Sequence, residues 1–87
     1  MDTPEPDGGP VPRLTLDCTG LLCPLPIYKA GLALARMSRG QLLELVATDP
    51  GSLEDVPAMA RQRGDRLKSV VTEGNRHVFL LEKGTGP

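Results

Sequence analysis

At 87 residues the chain has length for one domain, and with no Trp, one Tyr (Tyr28) and one Phe (Phe79) its core must be built mainly from aliphatic side chains. The same shortage excludes an aromatic platform for stacking single-stranded bases. Two cysteines exclude a disulfide scaffold, and a net charge of −1 excludes a strongly basic duplex-binding module.

The charge is uneven. Residues 1–12, MDTPEPDGGPVP, carry Asp2, Glu5 and Asp7 with no basic side chain, while residues 13–87 carry ten basic and eight acidic side chains, net +2. The first twelve residues hold four prolines, two glycines and little to bury, and are expected to form a disordered acidic tail. A second short tail is expected at 85–87, leaving a domain over 13–84. No apolar run has the length of a signal peptide or a membrane span, which leads us to expect a cytoplasmic protein with reduced thiols.

In chain order, RLTLDC alternates, with Leu14, Leu16 and Cys18 on one face and Thr15 and Asp17 on the other, which predicts a half-buried strand. Gly20 marks a turn. From Pro24 to about Met37, Ile27, Gly31, Leu34 and Met37 recur at helical spacing, with Gly40 as the expected C-cap. QLLELVAT (41–48) reads as a buried strand and DPGS (49–52) as a loop. Ser52 is the expected N-cap of a second helix whose apolar stripe is Leu53, Val56, Met59 and Ala60, ended by Gly64. Pro57 lies inside it, so an irregular first turn, or a regular start nearer Asp55, is expected. RLKSVVTE (66–73) and RHVFLLEK (76–83) flank Gly74-Asn75 and predict a hairpin. The order is β-α-β-α-β-β: an α/β (α+β) two-layer sandwich with two helices on one face of a small mixed sheet.

The stretch GLLCPLP (20–26) carries the chemistry. With Pro24 at the first helical position, Cys23 becomes the N-cap, facing the free N–H groups of Leu25 and Ile27. The positive end of the helix then favours thiolate, the nucleophilic form. The alternative is a small buried hydrophobe, the usual state of a free cysteine. Cys18 shares the face of Leu14 and Leu16 and reads as core; its functional alternative is a resolving thiol for Cys23. Two cysteines and a strand histidine, His77, make a poor metal set, and no metal site is expected. No base stands beside a cysteine in a protease-like arrangement, and no glycine-rich phosphate loop is present. The arginines at 36, 39, 61, 63 and 66 read as a solvated face, with a docking patch for an acidic partner or tRNA as the sharper alternative.

LDCTGLLCPLP fits the pattern D-x-x-G-x-x-C-P-x-P through Asp17, Gly20, Cys23, Pro24 and Pro26, and over residues 13 to about 84 the chain resembles the TusA/SirA-like sulfur-carrier family. Asp49-Pro50 and Asp55-Val56-Pro57 are also similar to that family. Leu21-Leu22 stand where relatives often have a polar or basic residue before the cysteine, and Thr19 stands where many carry arginine. The resemblance implies that Cys23 carries sulfur as a persulfide, with Pro24 and Pro26 fixing its geometry, Gly20 allowing the turn and Asp17 bonding loop N–H groups. It implies a carrier of sulfurtransferase type rather than a stand-alone enzyme, without a cofactor. The donor would be a cysteine desulfurase or a rhodanese-like protein. The acceptor protein would act in tRNA thiolation, molybdenum cofactor biosynthesis or sulfur oxidation. No membrane partner and no direct nucleic-acid binding are expected. The alternatives are an RNA-binding or regulatory interaction module and a Cys18/Cys23 thiol–disulfide switch.

Overall fold

Alternation within the strands decides which side of the sheet the helices cover. The computed structural model describes residues 13–84, so the expected tails at 1–12 and 85–87 lie outside the described residues. The elements are β1 (Arg13–Cys18), α1 (Leu25–Ala35), β2 (Leu42–Ala47), α2 (Ser52–Arg63), β3 (Arg66–Glu73) and β4 (Arg76–Glu82). The strands lie in the order β1-β2-β4-β3, with β1 parallel to β2 and the other pairs antiparallel. This is the β-α-β-α-β-β sandwich that the periodicity predicts.

Register places the core. Leu16 pairs Leu45, which pairs Phe79; Leu43 pairs Leu81; Cys18 pairs Ala47. Partners across a ladder point to the same face, and these residues meet Ala30 and Leu34 of α1 and Val56, Met59 and Ala60 of α2 in one buried cluster. Leu43, Leu45, Phe79 and Leu81 are completely buried. On the opposite face Thr15 donates to Glu44 Oε1 at 3.2 Å. The Gly74-Asn75 turn joins β3 and β4 as expected, with a register shift between Leu67 and Ser69.

Several local expectations need correction. Leu14 shares the apolar face of β1 but is 47% exposed, at the start of an edge strand. Helix α1 stops at Ala35 with Arg36 as C-cap; Gly40 lies beyond it, in the turn before β2. Ser52 is the first helical residue rather than the cap: Gly51 is the N-cap, and the buried Ser52 hydroxyl donates back to the Asp49 carbonyl. Leu53 faces solvent, so the stripe of α2 is Val56, Met59 and Ala60. Pro57 sits inside a regular helix. The first turn closes without it, through the amides of Glu54 and Asp55, which both donate to the Gly51 carbonyl.

Candidate functional site

The turn between β1 and α1 is built by short-range bonds. The Leu21 amide donates to the Cys18 carbonyl at 3.1 Å, and Gly20 turns the chain with φ +81°, a conformation that L side chains rarely adopt. The Gly20 amide donates to Thr48 Oγ1 at 2.9 Å, tying the turn to the end of β2. Asp17 Oδ1 accepts from the Thr19 amide at 3.0 Å and from the Thr19 hydroxyl, and these bonds hold its carboxyl below the usual carboxylate range. The loop that presents the thiol is therefore anchored to two strands.

Cys23 is exposed, as the motif implies, but it is not the helix cap. Pro24 is the N-cap, α1 begins at Leu25, and Pro26 is buried at the second helical position. The Leu25 amide donates to the Leu22 carbonyl at 2.9 Å, so it does not face the sulfur. Cys23 Sγ instead donates to Asp55 Oδ2 at 2.8 Å. This carboxylate reverses the expected electrostatics. The bond to Asp55, then desolvation, then the negative charges of Asp55 and Asp49 push the thiol up to about 11. The site therefore favours the thiol, held by an acceptor, over the thiolate expected at the helix entrance.

Asp55 and Asp49 are the site residues that the motif does not reach. Asp55 comes from the first turn of α2 and Asp49 from the loop before it, and their carboxylates flank Gly51, where an added Cβ would lie 3.0 Å from Asp49 Oδ2 and 3.7 Å from Asp55 Oδ2. The sequence signal for them was the pair of segments DP and DVP before and within α2. Thr48 was missed as well, and no spacing marks it.

Cys18 lies in the core with no exposure, and burial pushes its thiol up. His77 is buried in β4, with Nδ1 at 3.0 Å from Thr72 Oγ1. Among the described residues no group of three or more His, Cys, Asp or Glu side chains is placed to hold a metal ion, and no helix is long and apolar enough to cross a membrane. Leu22, Leu25 and Tyr28, next to the thiol in sequence, are 70%, 46% and 64% exposed and give it an apolar rim.

The arrangement offers an accessible sulfur with a proton acceptor beside it. Such geometry suits exchange with a sulfur on another protein. Comparison with known proteins points the same way. A family described as Sulfurtransferase TusA matches residues 14–83. The Sulfur carrier protein TusA of Allochromatium vinosum is 48% identical over 68 residues, covering 78% of this chain and 90% of the relative. A solved structure, the SirA-like protein from Desulfitobacterium hafniense, superposes with a TM-score of 0.73 over 82% of this chain and 97% of that one; at 22% identity it supports the fold alone. With the fold, the thiol and these matches together, the chain belongs to the TusA sulfurtransferase family of sulfur carriers.

Proposed function

We propose that the protein relays persulfide sulfur on Cys23, taking it from a cysteine desulfurase or a rhodanese-like donor in the cytoplasm and passing it to an acceptor protein. The observation that carries this reading is the exposed Cys23 thiol on an anchored turn, 2.8 Å from Asp55, in a chain whose other cysteine is buried. The destinations implied by the resemblance are tRNA thiolation, molybdenum cofactor biosynthesis and sulfur oxidation.

Each transfer is a thiol exchange that needs no oxidant. Cys23 sulfur attacks the outer sulfur of the donor persulfide. A sulfur–sulfur bond forms at Cys23, the donor's own sulfur–sulfur bond breaks, and the donor cysteine leaves as thiolate. The proton of Cys23 passes by way of Asp55 to that thiolate, so a donor persulfide and a carrier thiol become a donor thiol and a carrier persulfide. In the second step an acceptor cysteine attacks the outer sulfur and Cys23 returns to the thiol. Asp17, Gly20, Pro24 and Pro26 act as positioning residues for the turn. Asp49 and Asp55 favour partners that bring basic groups to the site, and those groups lower the cost of ionising Cys23 at the moment of docking.

The test uses a desulfurase loaded with radiolabelled sulfur from cysteine. Label should pass to the wild-type chain and to Cys18→Ala, and should be absent from Cys23→Ser. Label retained on Cys23→Ser refutes the assignment, and loss of transfer in a folded Cys18→Ala protein would favour the two-thiol switch.

A further inference from the structure

The end of the sheet opposite Cys23 has its own character. β1 and β2 run in parallel toward the thiol, whereas β3 begins and β4 finishes at the far end. There an open groove of about 780 Å³ is lined by Arg39, Arg61, Arg66 and Lys83, together with Asp65 and Glu82. Both carboxylates are already engaged. Asp65 accepts from Arg63 Nε and from the Gly84 amide, each at 2.8 Å, with its side chain fully buried, and Glu82 stands 3.8 Å from Lys68 Nζ.

The four cations lack such partners. Among the described residues, the side chains of Arg39, Arg61, Arg66 and Lys83 make no ion pair or hydrogen bond. Lys83 is the informative one, because only 7% of it is exposed. A lysine so little exposed is usually paired or liganded, and among the described residues Lys83 lines the groove with no carboxylate within ion-pair distance. Its backbone is also fixed: the Lys83 amide donates to the Gln41 carbonyl at 2.8 Å, and the Gly40 amide donates to the Lys83 carbonyl at 2.9 Å. The strand end therefore holds a lysine in place in a groove that three arginines also line.

We propose that this groove binds a phosphate group, supplied by a compact ligand such as inorganic phosphate or pyrophosphate. Guanidinium and ammonium groups are the usual partners of phosphate oxygens. No aromatic side chain lines the groove, so it offers a nucleobase no aromatic face to stack on. The site lies at the far end from Cys23, so the anion and the carried sulfur are held at the same time.

The experiment is a nuclear magnetic resonance titration of the full chain with inorganic phosphate, pyrophosphate and adenosine monophosphate, with chloride at matched ionic strength as the reference. Phosphate and pyrophosphate should give saturable shifts at the amides of Gly40, Gly64 and Gly84, with adenosine monophosphate no tighter than phosphate. Lys83→Met should weaken binding by about tenfold or more. Arg66→Gln, an exposed change at the start of β3, should also weaken it without risk to the fold. The rate of Cys23 alkylation should not change when pyrophosphate is bound. Shifts that chloride reproduces, or saturable binding that both variants leave intact, overturn the proposal. So does slower alkylation of Cys23, which would put the anion at the wrong end.

Discussion

A carboxylate 2.8 Å from a thiol works against ionisation, because the thiolate would sit beside a charge of its own sign. On the proposed reading Cys23 works by position rather than by acidity, as an exposed thiol on an anchored turn whose ionisation is disfavoured. Replacing Asp55 with Asn removes the charge and keeps the shape. The thiol should then fall from about 11 toward its ordinary value of 9.0. Thiolate at neutral pH would rise by roughly a hundredfold, and since each thiolate becomes less nucleophilic as its pKa falls, the alkylation rate should rise by about tenfold. The sign is testable in a pH profile. The wild-type rate climbs with pH up to about 11, and the Asp55→Asn inflection should sit at lower pH. The same variant should load sulfur more slowly from a docked donor if Asp55 relays the proton, so faster alkylation with slower loading separates the two roles. An unchanged profile would mean that Asp55 does not control the thiol.

At the scale of elements, helix α2 is the joint between core and site. It buries Val56, Met59 and Ala60 and presents Asp55 from its first turn. Pro57 stands between these two duties without an amide to give the ladder. Pro57→Ala should restore that donor and raise stability by about 1–2 kcal/mol, after allowing for the looser unfolded chain, and thermal melting would show it as a gain of several degrees. A lower melting temperature would mean that the proline ring is needed for packing. The elements themselves were legible from local signals: the alternation of β1, the apolar run of β2 between turn residues, the helical spacing of α1 and α2, and the turn Gly74-Asn75. Boundaries were less legible. Ser52 resembles an N-cap by residue type and Cys23 by its place before Pro24, yet the chain enters α1 through Pro24 and α2 through Gly51, each one residue away from the expected cap.

Across the whole molecule, charge is biased rather than sorted between two ends. Asp17, Asp49, Glu54 and Asp55 lie toward the end that carries Cys23, with Arg76 near Asp17, while Arg39, Arg61, Arg66 and Lys83 gather at the other beside Asp65 and Glu82. The near-zero net charge hides this bias, and composition alone favoured a scattered, solvated set of arginines. For the site, the motif pointed to Cys23, Gly20 and Asp17, but not to the acid that governs the thiol. Asp55 is 32 residues from Cys23 in the chain, and only folding of α2 against the β1–α1 turn brings them together. An acidic site predicts electrostatic docking of basic partners. Raising ionic strength should therefore slow sulfur loading at limiting donor concentration, with less effect on alkylation by a neutral reagent. Loading that is indifferent to salt would argue for docking through the apolar rim of Leu22, Leu25 and Tyr28 instead.

The central claim, that Cys23 carries sulfur, is tested most directly by intact mass of the reduced protein after incubation with a cysteine desulfurase and cysteine, and in parallel with a rhodanese and thiosulfate. The account predicts a gain of about one sulfur atom that a reductant removes, present in wild type and Cys18→Ala and absent in Cys23→Ser. No gain from either donor, or the same gain in Cys23→Ser, would contradict it.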